Sequence, residues 1–314
     1  MSLQTRKPTG IAAWPLILVE GLDKAGKTTA SLNLAADERI GRSFVFDLGE
    51  GAADEYALPN YEMVDHDGTY TDIMAKLTAA TLEPRADPDK PNLIVFDNGS
   101  ELWDSIKVWT EMRARRSKKG KETLRLDPDA EVDIPMNLWT DAADRWGKFV
   151  RLLKMWDGIA VVICRAKEVT KVDSQGRPVS GQTDYRIEAQ KSFVGAVNAQ
   201  VRIGPQHRAN LVAAWKQGLD LPLQLPAEAP LAHLVFDILG AGGFGSSTVV
   251  NAQNARTKGS AKNELLDLLR NLGASDPMAT ATELWGSLVP KGATEVTDDQ
   301  WAQLEGAARE LVEA

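Results

Sequence analysis

Residues 21–28 constrain this chain more than any other stretch, because Gly21-Leu22-Asp23-Lys24-Ala25-Gly26-Lys27-Thr28 matches G-x-x-x-x-G-K-[ST] at every specified position. The apolar run 15–19 precedes the match, and residues 29–36 after it are compatible with a helix. In a strand–loop–helix of this kind, backbone N–H groups converge on phosphates and the helix dipole favours their charge. The sequence therefore predicts a nucleoside-triphosphate site.

The residues of the loop have distinct expected roles in that site. Lys27 is expected to bridge the β- and γ-phosphates, and the Thr28 hydroxyl is expected to ligate Mg²⁺. The predicted nucleotide contacts are Gly21, Asp23, Lys24, Ala25, Gly26, Lys27, Thr28 and Thr29. The expected cofactors are ATP and Mg²⁺, although the loop leaves the choice between ATP and GTP open.

Composition narrows the class of protein. In 314 residues, no apolar run approaches the length of about 18 residues that spans a bilayer, so we expect no membrane association. The single cysteine, Cys164, excludes an intramolecular disulfide and suits a reducing cytoplasm; a packed thiol is expected. A net charge of -8 argues against a uniformly cationic surface but allows local basic segments.

Acidic side chains follow two of the predicted buried strands. Residues 93–97 form an apolar strand that ends in Asp97, which we expect to hold Mg²⁺ opposite Thr28. The strand 43–47 is followed by Leu48-Gly49-Glu50-Gly51, and Glu50 is the first candidate to polarise the attacking water. Glu101 competes for that role. A third buried strand, 159–164, leads to Arg165, where a polar group could sense the γ-phosphate.

Two segments concentrate basic side chains. We predict that the first is a loop over 113–135, carrying Arg115, Arg116, Lys118 and Lys119 among its cations. The second, 167–188, is predicted to be a hairpin around a turn at 174–178, with Lys171, Arg177, Tyr185 and Arg186. Such segments are either solvated surface or contacts with the phosphates of a single-stranded nucleic acid, where the tyrosine ring would stack on a base.

The chain is predicted to contain two domains. Residues 1–245 form an α/β core with a mostly parallel central sheet, 246–259 are a polar linker, and 260–314 are a small helical domain. Its helices are predicted over 261–272, 279–288 and 297–312. These helices carry no catalytic pattern, and a protein partner is a candidate for their role.

The phosphate loop, the turn 47–51, the strand 93–97 and the two basic segments resemble, in this order, a RecA-like ATPase core, and more narrowly the phage-encoded RecA-like P-loop NTPases of the Sak single-strand-annealing type. The resemblance covers about residues 14–218. It implies an ATPase that acts on single-stranded DNA in phage recombination or replication, in the cytoplasm of the host cell, as a homo-oligomeric ring or filament.

The resemblance also assigns individual residues. The family's strand-end glutamate acts on water, and Glu50 occupies the matching place, although the turn here is one residue longer than a D-x-E-G pattern. A cation from the neighbouring subunit completes the site in RecA-like enzymes. Lys216 is the matching candidate, with Arg208 behind it.

Two other classes of function compete with this interpretation. Residues 19–29 closely resemble the loop of thymidylate kinases, but Asp97 is followed by Asn98 where those enzymes have an Asp-Arg dipeptide. The remaining alternative is a nucleotide-gated interaction protein whose C-terminal helices bind a partner. DNA-stimulated ATP hydrolysis and phosphoryl transfer to dTMP distinguish the three.

Overall fold

The computed structural model describes residues 5, 7–8, 10–49, 51–56, 60–173, 175–240, 244–245, 255–290 and 295–313. The chain divides into two compact units, Met1–Val249 and Val250–Ala314.

The first unit alternates strands and helices. Its strands are β1 (Ala12–Ala13), β2 (Leu16–Gly21), β3 (Ser43–Asp47), β4 (Glu62–Met63), β5 (Leu93–Asp97), β6 (Ile159–Val172), β7 (Pro178–Ile187), β8 (Ala199–Ile203), β9 (Ala209–Ala214), β10 (Leu223–Gln224) and β11 (Phe244–Gly245). Its α-helices are α1 (Lys27–Ala35), α2 (Ala52–Tyr56), α3 (Tyr70–Leu82), α4 (Gly99–Arg116), α5 (Lys118–Leu126), α6 (Met136–Met155) and α7 (Pro230–Ala232). A 3₁₀ turn covers Lys191–Gly195.

A central sheet in the order β10-β9-β8-β2-β6-β5-β3-β4 organises this unit. The strands from β8 to β4 are parallel, and β9 and β10 are added antiparallel at one end. The apolar runs of β2, β5 and the first part of β6 are buried because helices cover both faces, as parallel sheets require. This is the predicted α/β P-loop fold. Since β6 lies between β2 and β5, the phosphate-loop strand is one strand away from the strand that ends in Asp97.

Aromatic side chains fill the core on one face of the sheet. The ring of Phe149 lies 4.7 Å from Phe96 and 5.3 Å from Trp146, measured between centroids. Trp146 also meets the ring of Phe193 edge-on at 5.4 Å. Trp146 and Phe149, both on α6, are almost fully buried, so this helix is fixed against the sheet by large apolar area.

The prediction of a loop over residues 113–135 is wrong for much of that range. Helix α4 continues to Arg116, and the Ser117 hydroxyl accepts a hydrogen bond from the Gly120 amide and caps α5. The buried residues Ile106, Thr110 and Ala114 recur every fourth position, which gives α4 its inner face. Arg115, Arg116, Lys118 and Lys119 therefore stand on helices.

The predicted hairpin is confirmed. Beyond Arg165, β6 pairs antiparallel with β7, and Lys167, Glu168 and Val169 lie opposite Arg186, Tyr185 and Asp184. The hairpin is mostly exposed.

The second unit contains α8 (Lys258–Leu272), α9 (Pro277–Leu288) and α10 (Asp298–Glu313). Its core includes Leu265, Leu269, Leu284, Trp285 and Leu304. A pair of antiparallel strands, β12 (Ala255–Thr257) and β13 (Glu295–Thr297), was not predicted. The linker prediction is therefore wrong for 255–259, which belong to β12 and α8, while 246–254 lie outside the described residues.

In the part of the chain that the structure describes, no helix is long and apolar enough to cross a membrane.

Candidate active site

The phosphate loop joins the end of β2 to the start of α1. Gly26, at the N-terminus of α1, has a φ of 92°, in the left-handed region that favours glycine. A Cβ on Gly26 would lie 2.7 Å from His207 Nδ1, and one on Gly21 would collide with the carbonyl oxygen of Ile203. Gly26 is thus required by close packing and by backbone conformation, and Gly21 by close packing.

Thr28 and Asp97 meet at the carboxyl edge of the sheet. Thr28 Oγ1 donates a hydrogen bond of 2.5 Å to Asp97 Oδ2, and Asp97 is only 2% exposed. Lys27 Nζ donates to the carbonyl oxygen of Leu22 at 2.8 Å, so the ammonium group lies over the loop. The structure therefore brings together the two residues predicted from the sequence to hold Mg²⁺.

A cavity of about 470 Å³ opens beside these residues. It is lined by Asp23, Lys24, Gly26, Lys27, Thr28, Thr29, Ala52, Tyr56, Asp97 and His207. Most of the predicted nucleotide contacts line it; Gly21 and Ala25 instead shape the backbone behind it.

The donors at this site fit magnesium. A hydroxyl and a carboxylate are hard oxygen ligands, and Mg²⁺ takes few protein ligands because it keeps waters and substrate phosphates. No group of three or more His, Cys, Asp or Glu side chains suited to a metal occurs among the described residues.

Tyr56 and His207 line the cavity with polar side chains and were missed by sequence reasoning. The hydroxyl groups of Thr29 and Tyr56 are hydrogen-bonded at 3.1 Å. His207 Nδ1 lies 2.8 Å from the carbonyl oxygen of Ala25, so this nitrogen carries the proton and donates. Neither residue belongs to a motif, and only the pairing of distant segments brings them to the phosphate loop.

The carboxylates that are candidates for water activation differ in what the structure shows of their surroundings. Glu50 lies outside the described residues. The carboxylate of Glu101 forms an ion pair with Arg165, which occupies at least part of its capacity as a base. Asp47, not considered from the sequence, pairs with Asp97 across β3 and β5, and its Oδ1 accepts a hydrogen bond from the Gly51 amide at 3.1 Å.

Arg165, at the predicted γ-phosphate-sensing position, is surrounded by carboxylates. Its guanidinium lies beside Glu101, 3.2 Å from Asp104 and 3.6 Å from Glu188. Burial lowers the pKa of Arg165, but these anions outweigh burial and raise it. The arginine thus ties α4 to the base of the hairpin.

Cys164, one residue before Arg165, is the packed thiol that the sequence predicted. Burial raises its pKa, so the reactive thiolate is strongly disfavoured.

Lys216 lies far from the phosphate loop of its own chain. The end of β9 pairs with the start of β8, so Lys216 follows at the sheet edge opposite the loop. Its Nζ donates to the carbonyl oxygen of Ile238 at 2.6 Å. Arg208 instead lies on the turn between β8 and β9, beside His207.

Both basic segments lie on the phosphate-loop side of the sheet. Gly21 pairs with Arg165, the residue from which β6 enters the hairpin. Trp146 lies close to Gly99 at the same edge, since a Cβ on Gly99 would be 3.4 Å from its ring. From there α6 continues to Met155, and β6 starts at Ile159 at the opposite edge. The first half of α6 therefore projects past the carboxyl edge by about 15 Å, at 1.5 Å per residue.

Helix α4 runs alongside the half of α6 that projects past the carboxyl edge. Arg113 forms a 3.1 Å ion pair with Asp141, and the Arg145 guanidinium lies 3.7 Å from the Trp109 ring centroid, so α4 and α6 are antiparallel. The end of α4, with Arg115 and Arg116, consequently lies beyond the carboxyl edge.

Among the described residues, the ion pairs of Arg115 and Lys119 are weak. Arg115 lies 3.8 Å from Glu111 and Lys119 lies 3.7 Å from Asp133, both in exposed pairs that contribute little. In the hairpin, Lys171, Arg177 and Arg186 are exposed, whereas Tyr185 is half-buried. One face of the Tyr185 ring is covered by Arg202, at 4.7 Å from the ring centroid.

Comparison with known proteins gives one family. The AAA domain family model (AAA_24) matches residues 15–206. Comparison with curated proteins finds no match. Among solved structures, the crystal structure of the RadB recombinase is similar, with a TM-score of 0.37 and 13% identity over 69% of this chain and 87% of that chain.

Proposed function

The chain belongs to the AAA domain family, and from this premise we propose that it hydrolyses ATP in response to single-stranded DNA, as a phage recombination or replication protein of the Sak type. Nucleotide binding by a P-loop ATPase core follows from the family and the fold. The DNA partner, the phage role and the assembly are the finer parts of the proposal.

The observation that carries the proposal is the contact between Thr28 and Asp97 at the mouth of the phosphate loop. Magnesium bound there would draw charge from the phosphates during hydrolysis. Lys27 would neutralise the β- and γ-phosphates, while the amides of Gly26 and Lys27 would hold the oxygens between them. Asp97 would keep the Thr28 hydroxyl oriented, because the carboxylate accepts a hydrogen bond from it.

Water activation is assigned to Glu50, with Asp47 and Glu101 as the alternatives. Asp47 is the last residue of β3, Glu50 follows β3 in the sequence, and Glu101 lies in the first turn of α4 after β5. A general base must reach the attacking water, so a charge-neutral substitution at each position separates them.

Single-stranded DNA is proposed to contact the end of α4, α5 and the β6–β7 hairpin. The support is the location of both basic elements beyond the sheet edge that carries the phosphate loop, which would let a bound strand influence the nucleotide. The ion pairs of Arg115 and Lys119 are long and exposed, which leaves both cations available for contacts with phosphates.

We further propose a homo-oligomer, ring or filament, in which Lys216 of one subunit approaches the nucleotide of the next. Since Lys216 lies at the sheet edge opposite the loop, it could serve only a neighbouring subunit's site.

For the C-terminal helices we propose a protein partner, because the apolar side chains of Met278 and Leu311 are more than half exposed.

The test is ATP turnover by the purified protein with and without a single-stranded oligonucleotide, alongside its mass in solution. We expect Mg²⁺-dependent turnover that the oligonucleotide stimulates. Turnover unaffected by DNA would contradict the DNA-coupled part and favour a nucleotide-gated interaction protein. Transfer of phosphate to dTMP would instead identify a nucleotide kinase.

A further inference from the structure

A buried ion pair lies directly beneath the phosphate loop. Glu20, the residue before Gly21, is 1% exposed, and its Oε1 accepts a 2.7 Å hydrogen bond from Arg202 Nε. The two residues face each other across β2 and β8. Within the described part of the chain, Glu20 Oε2 has no hydrogen-bond partner, an arrangement that costs free energy and calls for a functional explanation.

The effect of this pair is to hold the Arg202 guanidinium in one place. Its carbon lies 4.7 Å from the centroid of the Tyr185 ring, and the Tyr185 hydroxyl donates to Glu168 Oε1 at 3.2 Å. Of the three side-chain nitrogens of Arg202, only Nε is hydrogen-bonded to a described residue, and the side chain is 26% exposed. The two terminal nitrogens therefore keep N–H donors for the oxygens of an anion such as phosphate.

Arg202 and Tyr185 together separate two cavities. One, of about 300 Å³, lies against the phosphate loop and is lined by residues from Leu22–Ala25 and Ile203–His207. The other, of about 680 Å³, lies beneath the hairpin. Its charged lining is mostly cationic: Lys171, Arg186, Lys191 and Arg202, against Asp184 and the already paired Glu20.

We propose that the cavity beneath the hairpin binds one nucleotide of a single strand, with Arg202 and Lys191 on its phosphate and the Tyr185 ring beside its base. This rests on the proposed function and adds two residues from outside the hairpin, on β8 and on the 3₁₀ turn. An arginine fork fixed by a buried carboxylate is preorganised for a phosphate, and an aromatic ring beside it suits any base.

The site also places the bound single strand of nucleic acid next to the ATPase centre. Arg202 is hydrogen-bonded to Glu20, the residue that precedes the first glycine of the phosphate loop. A phosphate bound to the terminal nitrogens of Arg202 is therefore linked through Glu20 to β2. Cations placed only at the hairpin tip would lack such a connection.

The experiment is fluorescence anisotropy of a labelled oligothymidylate over a salt series, with a non-hydrolysable ATP analogue present. Lys191→Ala removes an exposed side chain, so the fold is retained. It should flatten the log–log salt slope by about 0.7 and weaken binding about fivefold at 0.1 M salt. Lys76→Ala, which removes an exposed lysine of α3, is the matched control and should leave both unchanged.

Arg202→Lys keeps a cation opposite Glu20 but removes the planar fork. It should weaken binding at every salt concentration while the slope changes little, because charge is conserved. If wild-type protein binds the oligonucleotide and both Lys191→Ala and Arg202→Lys bind like Lys76→Ala, the cavity assignment is overturned while the DNA function stands. If wild-type protein does not bind at all, both proposals fall together.

Discussion

Thr28 and Asp97 are hydrogen-bonded at 2.5 Å although the strands that lead to them are separated by β6. The contact is reached because all three strands are parallel and end at one edge, where α1 and α4 begin. The contact sets a helix-borne hydroxyl beside a strand-end carboxylate, as two oxygen groups that serve one metal ion would have to lie. The residues predicted to hold the nucleotide and Mg²⁺ are thereby concentrated at this edge.

The first prediction concerns Lys27. Its side chain contacts the loop carbonyl of Leu22 and no core residue is displaced by its loss, so Lys27→Ala should fold normally and lose ATP hydrolysis by at least about a hundredfold. Turnover at constant ATP, together with a thermal melt, measures this. A folded Lys27→Ala protein with wild-type turnover would exclude residues 21–28 as the site of hydrolysis.

The second prediction separates the candidate bases. Glu50→Gln should retain nucleotide and Mg²⁺ but lose hydrolysis by about 10²–10⁴-fold, because the amide keeps the shape of the side chain but not its basicity. Asp47→Asn and Glu101→Gln are the matched comparisons. If either abolishes turnover and Glu50→Gln does not, the water-activating role moves to that residue.

How far the sequence predicts this site depends on how local each signal is. Gly21–Thr28 and Asp97 were identifiable because a phosphate loop and an acid at a strand end are encoded in consecutive residues. Parallel strands then bring the two together at one edge. Tyr56, His207 and Arg202 had no such signal, since each reaches the site only through tertiary pairing.

The error over 113–135 has a different origin. The sequence around Arg115 is dominated by cations, and only a narrow face of α4, with Ile106, Thr110 and Ala114, is buried. A helix with so few inner residues resembles a solvated loop in hydrophobic pattern. Its packing against α6 supplies the stability that the pattern does not show.

The third prediction tests the buried pair. Arg202→Ala would leave the Glu20 carboxylate buried without its partner, and should lower the free energy of unfolding by roughly 3 kcal/mol. Adding Glu20→Leu should recover most of that loss, because both polar groups are then absent. Denaturant unfolding of the single and double variants measures the coupling. Equal stability of wild type and Arg202→Ala would show that the pair does not hold this region together.

The fourth prediction concerns the assembly. If Lys216 acts on the neighbouring subunit, a mixture of Lys27→Ala and Lys216→Ala proteins contains interfaces at which both residues are intact. Such a mixture should recover up to about a quarter of wild-type turnover at equal amounts, by random assortment of subunits at each interface. Each variant alone should be inactive, and a melt of Lys216→Ala controls for the lost contact with Ile238. Mixed oligomers without recovered activity would remove Lys216 from the site.

The last prediction concerns the basic helices beyond the sheet edge. Arg115, Arg116, Lys118 and Lys119 stand on the end of α4 and the start of α5, and their ion pairs are long or exposed. Replacing all four by alanine should flatten the salt slope of single-strand binding by up to about two to three units, at roughly 0.7 per phosphate contact. The slope is the decisive quantity, because a general loss of stability would reduce active protein without changing it. Anisotropy over a salt series measures it, and Lys76→Ala gives the effect of removing one charge elsewhere. If the quadruple variant keeps the wild-type slope, the strand does not run along α4 and α5. The cavity beneath the hairpin would then be left as the proposed strand-binding element.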